Sequence, residues 1–190
     1  VPPHVVARAR AAGEVACWVH TLREFSLVCA RSSMTRDGRP CAGSCAECLE
    51  HRGRMAPGLA SADGVLAVSH DTLDRHRGLL RPGVPTRVIG CPMLPVAPRA
   101  RGGAPSSPTI GFLGRITPDK GIDRLLSAVR GLEGVAMRLE VGGRLDSPWA
   151  RRLAQSHHGH PRIRFHGAVE APDFLAGLDL LVVPSVFPEP

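Results

Sequence analysis

Apolar runs alternate with helix-like segments along the first ninety residues of the chain. Pro3 to Ala12 has helical composition and ends at Gly13, and the apolar run from Glu14 to Val19 predicts a short strand. After a long loop, the sequence predicts a strand at Gly64–Val68, a helix at Asp71–Leu80 with Ser69 as its N-cap, and a strand at Thr86–Ile89. This order is typical of the later half of an alternating α/β domain.

The second half of the chain repeats the alternation. The predicted strands are Thr109–Leu113, Met137–Val141, Arg162–Phe165 and Leu180–Val183, with a short helix near Asp173–Leu178. After the first of these strands, apolar residues recur at a 3.6-residue period: Ile122, Leu125, Leu126, Val129 and Leu132. This pattern predicts a strand-turn-helix unit with Pro118 near the helix entry, where a missing N–H does no harm.

A Pro-rich segment separates the two periodic regions. Residues 92–108 contain five Pro and two Gly, a composition that favours no regular element. We therefore expect one domain over residues 1–92, a linker over 93–108 and a second domain over 109–190.

The chain is basic without a basic block. Its net charge is +7, from 24 Lys plus Arg against 17 Asp plus Glu, and the arginines are scattered along its length. A nucleic-acid footprint would cluster on one face. We therefore expect no nucleic-acid partner and attribute the charge to composition and to attraction for an anionic ligand.

Both ends of the sequence resemble the interior of a longer protein. Residue 1 is Val, no charged-then-apolar leader follows it, and the chain stops at Phe187-Pro-Glu-Pro190. No apolar run approaches the roughly 18 residues of a membrane-spanning helix. We expect a soluble, cytoplasmic piece that is incomplete at both ends, with peripheral membrane contact through missing segments left open.

Four of the six cysteines fall within twenty residues. Cys45-Ala-Glu-Cys48 follows Cys29 and Cys41, and these four thiols could bind zinc. The spacing is one CxxC pair plus two single cysteines, which favours reduced, packed thiols. We assign no metal ligands: zinc at the four cysteines stays open, and the His157-His-Gly-His160 segment is interpreted as a polar loop.

A Gly and two cations lie between the predicted strand Thr109–Leu113 and its helix. The turn contains Gly114, Arg115 and Lys120. Helix N-termini carry a partial positive charge and free N–H groups, and a glycine lets a ligand approach the backbone. The turn therefore suits a diphosphate, although a solvated turn with two surface cations has the same composition.

The order of several motifs resembles one known family. Ile110 to Leu126 (IGFLGRITPDKGIDRLL) resembles the start of the donor domain in family 4 of the retaining glycosyltransferases. Leu139–Gly143, Ile163–Val169 and Asp179–Ser185 look like the following strands of that domain. Upstream, the resemblance continues through Trp18-Val-His20, Phe25–Arg31 and Arg36-Asp-Gly38, which look like an acceptor-domain stretch of a cysteine-bearing subset.

The resemblance implies a GT-B fold of the α/β class. Two Rossmann-like domains would face a cleft, and both would be incomplete in this chain. The implied activity is hexosyltransferase-type: a retaining transfer of a sugar from a nucleotide-diphosphate sugar to an acceptor hydroxyl. Such enzymes generally need no metal, in keeping with the lack of an Asp-x-Asp pair in this sequence.

The resemblance also implies roles for individual residues. Arg115 and Lys120, next to Gly114, would hold the donor diphosphate, and the backbone near Gly167 to Val169 would meet the base. Glu189 would be the first acid of a Glu-x7-Glu motif and lie against the donor sugar. His20 would approach the transferred sugar from the acceptor side, although Thr21 stands where the family often has Asp.

Two other functions stay open at this point. One is a noncatalytic zinc- or anion-binding module, and the other is a truncated nucleotide-binding remnant. The isolated piece is expected to be inactive. The sequence specifies neither the sugar and base of the donor nor the acceptor or the oligomeric state.

Overall fold

The computed structural model describes residues 2–36, 39–91, 103 and 105–190. Within it the chain divides into two compact units, Val1–Met93 with Phe187–Pro190, and Leu94–Val186. The predicted linker 93–108 lies largely outside the described residues, and the predicted domain bounds stay a prediction.

The first unit contains a parallel sheet and three helices. Its elements are α1 (Pro3–Ala11), β1 (Val19–Leu22), β2 (Thr35–Arg36), β3 (Arg39–Pro40), α2 (Ala46–Ala60), β4 (Gly64–Ala67), α3 (His70–His76), a 3-10 turn (Arg77–Leu79) and β5 (Thr86–Val88). The three strands of the parallel sheet pair in the order β1-β4-β5. The core packs around Leu22, Phe25, Leu59 and Val65. The alternating α/β order predicted for this region is confirmed.

Two predictions for the first unit were wrong. The strand begins at Val19 and not at Glu14, because the chain before it bonds elsewhere: the Trp18 N–H donates to the Asp63 carboxylate at 2.9 Å. The cysteine loop contains the 15-residue helix α2. This helix was not predicted from the sequence, because Gly53 and Pro57 are poor helix formers.

The helix caps in this unit follow simple chemistry. Ser69 caps α3 as predicted, because its Oγ accepts the Thr72 N–H at 3.0 Å.

Helices α1 and α2 pack closely at Gly58. A side chain does not fit at this position, since a Cβ there would lie 2.7 Å from the backbone nitrogen of His4. The start of α1 therefore lies directly against the end of α2.

The second unit contains a second parallel sheet with helices between its strands. Its elements are β6 (Thr109–Leu113), a 3-10 turn (Pro118–Lys120), α4 (Ile122–Gly131), β7 (Arg138–Gly142), α5 (Pro148–Ser156), β8 (Ile163–Gly167), α6 (Ala171–Ala176) and β9 (Leu180–Leu181). The four strands pair in the order β8-β7-β6-β9. Helix α4 confirms most of the predicted periodicity, because Ile122, Leu126 and Val129 are buried in the core; Leu132 lies past the end of the helix and is exposed. Helix α5 was missed, although Ser147 at its N-cap and Pro148 at its first position are favourable signals for a helix start.

The strand order creates a switch point between β6 and β9. The chain runs outward from β6 through β7 to β8, and then returns to pair β9 on the other side of β6. In open parallel sheets, ligands bind beyond the carboxyl ends of the strands near such a reversal. The topology therefore directs attention to the loops after β6, β7 and β8.

Candidate functional site

A cavity of about 500 Å³ lies at the carboxyl edge of the second sheet. The loops after three neighbouring strands line it: Leu113–Thr117 after β6, Gly143, Arg144, Asp146 and Ser147 after β7, and Ala168, Val169 and Ala171 after β8. Three of the predicted site residues, Gly114, Arg115 and Val169, thus lie around one cavity.

Close backbone contact between two loops shapes this cavity. A Cβ on Gly143 would lie 2.0 Å from the Gly114 carbonyl oxygen, so only glycine fits there. The Gly114 N–H donates to the Gly142 carbonyl at 3.0 Å, and the Gly143 N–H donates to the Gly167 carbonyl at 2.7 Å. The strand ladder therefore continues into the cavity floor and fixes its position.

Gly114, unlike Gly143, has room for a side chain. A Cβ on Gly114 would lie 3.6 Å from the nearest atom of the Phe112 ring, an ordinary contact. Packing within the protein therefore accepts a side chain at Gly114. A requirement for glycine at this position would come from a ligand, as the sequence predicted.

Charged side chains stand at the rim of the cavity. Arg115 forms an ion pair with Asp119 at 3.5 Å, and 73% of its side chain is exposed. Arg144 pairs with Asp146 at 2.9 Å. Such exposed pairs contribute about 0 to 1 kcal/mol, so either guanidinium can turn to an anion at little cost.

The N-terminus of α5 also meets the cavity. Ser147 lines the cavity and caps this nine-residue helix, its Oγ accepting the Ala150 N–H at 3.0 Å. The partial positive charge of a helix N-terminus adds to that of the two arginines. Sequence reasoning missed Arg144 and Ser147, although the pair Gly142-Gly143 at the end of β7 precedes both residues and marks a close backbone approach.

One wall of the cavity is apolar. It combines Leu113 and Ile116 with Ala168 and Val169. Val169 also covers the sheet edge, since a Cβ on Gly142 would approach its Cγ2 to 2.8 Å. An apolar wall beside cations suits a ligand with a flat ring at one end and negative charge at the other.

Lys120 and Glu189 are not among the residues that line this cavity. Lys120 ends the 3-10 turn before α4. Gly121 follows with φ +65°, and a Cβ there would lie 2.0 Å from the Pro184 carbonyl oxygen. The Val186 N–H donates to the Asp119 carbonyl at 2.9 Å, so the segment after β9 is held against this turn. Glu189 lies three residues further along the chain.

His20 lies within β1 and not after its end, which corrects the predicted position. It lines a separate cavity of about 510 Å³ in the first unit, together with Arg23, Glu24 and His51. Its ring makes an edge contact with Trp18 at 5.6 Å between centroids. Burial, and then the nearby His76, lower the pKa of His20, so the ring is neutral at pH 7.

The described residues contain no group of three or more His, Cys, Asp or Glu side chains arranged to hold a metal ion. All six cysteines are free thiols. The His157-His-Gly-His160 loop lines a cavity of about 740 Å³ along the edge strand β8. In the part of the chain that the structure describes, no helix is long and apolar enough to cross a membrane.

The segment that lines the cavity matches a known family model. Residues 107–189 match the family model described as glycosyl transferases group 1. No curated protein matches the chain in sequence.

Several solved structures share the fold. Sucrose-phosphate synthase from Thermosynechococcus elongatus superposes with a TM-score of 0.67 at 20% identity, over 98% of this chain and 49% of its own. The Anabaena protein Alr3699/HepE, in complex with UDP and glucose, gives 0.69 at 17% identity, over 98% and 51%. The lipopolysaccharide outer core galactosyltransferase WaaB gives 0.55 at 16%, over 96% and 54%.

The chain spans about half the length of these structures. At such low identity the likeness establishes the fold alone. Residues 107–189, which carry the cavity, match a glycosyl transferases group 1 domain, and the chain has the α/β fold of the GT-B glycosyltransferases.

Proposed function

We propose that this chain is part of a retaining, hexosyltransferase-type enzyme of family 4, which moves a sugar from a nucleotide-diphosphate sugar to an acceptor hydroxyl. The observation that carries the proposal is the cavity at the carboxyl edge of β6, β7 and β8. It combines an apolar wall with two arginines and a helix N-terminus, inside the segment that matches the glycosyl transferases group 1 model.

The donor nucleotide fits this cavity by its chemistry. The base would lie against the apolar wall beside Val169, with backbone groups of the loop after β8 available to its polar edge. The diphosphate would lie toward Arg115 and the N-terminus of α5. The complex of Alr3699/HepE with UDP and glucose supports a uridine nucleotide as the first donor to test.

Charge on the leaving group explains the role proposed for Arg115. As the sugar departs from its diphosphate in an oxocarbenium-like transition state, negative charge grows on the leaving oxygens. A guanidinium placed beside them stabilises that charge, and removing one such contact lowers the rate by about 10² to 10³. Lys120 would assist in this task, a role that rests on the family resemblance.

Glu189 and His20 are the residues proposed to touch the sugar. The anchored segment Pro184–Val186 leads directly to Glu189, whose carboxylate would accept hydrogen bonds from sugar hydroxyls. The neutral ring of His20 could accept one through an imidazole nitrogen. No metal or other cofactor is part of the proposal, and the cytoplasmic location stays a prediction.

The chain spans about half the length of the related structures. The first test is therefore nucleotide binding by this chain, and not sugar transfer. Titration calorimetry with UDP, GDP and ADP should detect one site. Arg115→Ala should weaken it by about 1.5 to 3 kcal/mol, the range for a hydrogen bond to a charged group. This corresponds to roughly a tenfold to hundredfold rise in Kd. Arg152→Ala, an exposed change on α5 away from the cavity lining, is the matched control.

A second variant separates ligand contact from folding. Gly114→Ala should leave the unfolding midpoint unchanged, because its Cβ meets only the Phe112 ring at 3.6 Å, yet it should weaken nucleotide binding by obstructing close approach. If no nucleotide binds, or if Arg115→Ala and Arg152→Ala bind it as well as the parent chain, the donor site is wrong.

Turnover tests the remaining roles. In a version of the protein that is extended at both ends and transfers sugar measurably, Glu189→Ala should lower kcat far more than it weakens nucleotide binding, because the residue is assigned to the sugar. The exposed Glu133→Ala should change neither. Equal kcat for both variants would remove Glu189 from the catalytic site.

A further inference from the structure

The N-terminus of α2 gathers three thiols that the proposed transferase does not use. Cys45 is the N-cap of this 15-residue helix, and Cys48 lies in its first turn. The Cys45 thiol and the Cys29 thiol both lie close enough to the Cys48 thiol to raise its pKa by hydrogen bonding. The cluster therefore joins a CxxC pair to a third cysteine from the segment after β1.

The three thiols differ in accessibility. Cys29 and Cys48 are buried, at 3% and 8% exposure, whereas Cys45 is half-buried. A reagent from solvent can therefore reach Cys45 first. Cys48 lies three residues further into the helix and is shielded from solvent.

The helix geometry suits a disulfide between Cys45 and Cys48. Residues three apart on a helix have Cα atoms about 5 Å apart, inside the range of about 4.4 to 6.8 Å found in disulfides. Closure of this pair requires little backbone movement.

The pKa values of the Cys45 and Cys48 thiols are shifted in opposite directions. The Cys48 backbone N–H, and then the Cys48 thiol, lower the pKa of Cys45, and Arg36 adds to the effect. Burial raises the pKa of Cys48. A thiolate is the attacking form in disulfide exchange, so Cys45 suits the role of nucleophile and Cys48 that of the resolving thiol.

We propose that Cys45 and Cys48 form a dithiol site that exchanges with low-molecular-weight disulfides such as oxidised glutathione. The Cys45 thiolate attacks one sulfur of the disulfide, whose S–S bond breaks and releases one glutathione thiolate, which takes up a proton. Cys48 loses its proton to solvent and attacks the Cys45 sulfur, expelling the second glutathione thiolate. Two protein thiols are oxidised, and one glutathione disulfide is reduced to two thiols.

A metal site is the competing interpretation of the same cluster. Four cysteines within twenty residues suggest zinc, but the described residues include no group of three or more His, Cys, Asp or Glu side chains arranged to hold a metal ion. Exchange needs only the Cys45–Cys48 pair and a path from solvent to Cys45, and both are present.

Mass-spectrometric peptide mapping tests the proposal on the 190-residue chain. The reduced chain is exposed to oxidised glutathione, quenched with acid and alkylated. The expected product is a Cys45–Cys48 disulfide, with loss of two hydrogens from the peptide that contains both. Cys48→Ser should trap glutathione on Cys45, and Cys45→Ser should abolish the fast reaction. Cys17→Ser and Cys91→Ser, at exposed thiols outside the cluster, should leave its rate unchanged.

Three outcomes would overturn the proposal. They are glutathione addition at Cys17 or Cys91 before Cys45 reacts, a Cys29–Cys48 disulfide as the main product, and stoichiometric zinc that protects the cluster from oxidation. The peptide map of the chain without serine substitutions distinguishes these outcomes even if a serine variant fails to fold.

Discussion

Gly143→Ala tests whether the contact between two loops determines both stability and the donor cavity. The new Cβ would lie 2.0 Å from the Gly114 carbonyl oxygen. An ordinary carbon-to-oxygen contact is about 3.3 Å, so the loops must separate by about 1.3 Å. The hydrogen bonds on either side, Gly114 N–H to Gly142 O and Gly143 N–H to Gly167 O, cannot both survive that separation.

The expected cost follows from these two effects. Overpacking costs about 1 to 3 kcal/mol, and a lost hydrogen bond adds about 0.5 to 1.5 kcal/mol. We expect the second unit to lose about 2 to 4 kcal/mol of unfolding free energy. With a urea m-value of about 2 kcal/mol/M, the midpoint falls by about 1 to 2 M. Nucleotide affinity should fall with it, because both loops line the cavity.

Tryptophan fluorescence can isolate the unit concerned. Trp149 packs against the core of the second unit and Trp18 is buried in the first, so a Trp18→Phe background leaves Trp149 as the reporter. The control is Gly131→Ala at the end of α4, where a Cβ meets nothing within 4 Å. A Gly143→Ala midpoint equal to that of Gly131→Ala would refute the steric argument.

Three further predictions concern stability. His76 is fully buried, its Nδ1–H donates to the Thr72 carbonyl at 2.7 Å, and burial lowers its pKa, so the unfolded chain binds a proton that the folded chain does not. Unfolding free energy should therefore fall as pH drops below about 6.5, by at most about 1.4 kcal/mol per pH unit for this one group, and His76→Gln should flatten urea midpoints measured between pH 7.5 and 5.5. Asp63 pairs with Arg10 at 2.6 Å, and this contact, with the Trp18 N–H, lowers the pKa of the carboxyl. Its stabilisation is present at neutral pH and lost as pH falls through the lowered pKa, so Asp63→Asn should reduce the midpoint at pH 7 and leave it unchanged in strong acid. Gly121→Ala should unfold more easily than Gly131→Ala, because its Cβ would meet the Pro184 carbonyl; equal midpoints would contradict the close approach of this segment.

Local sequence patterns were sufficient to predict those elements whose structure depends on residues close together in the sequence. The period of Ile122, Leu126 and Val129 predicts α4, since those residues need only one shared face to be buried. Ser69 predicts its own cap, because the hydroxyl and the Thr72 N–H are three residues apart. The same kind of local chemistry predicts an anion site at the turn with Gly114 and Arg115; both residues line the cavity, and the anion site stays a prediction.

Tertiary contacts decided what local patterns could not. Helix α2 forms although Gly53 and Pro57 disfavour it, because packing of Gly58 against α1 and burial of Leu59 outweigh propensity. The start of β1 depends on Asp63, which lies 45 residues after Trp18 and binds its N–H. Arg144 and Ser147 come to the cavity only through the pairing of β7 with β6, and Cys29 meets Cys48 only because α2 packs on the segment after β1. The sequence alone predicted most strands of the two parallel sheets, and it predicted an anion site at the turn after β6. Only the folded chain decided which loops share an edge, because strand pairing is set by contacts between residues far apart in sequence.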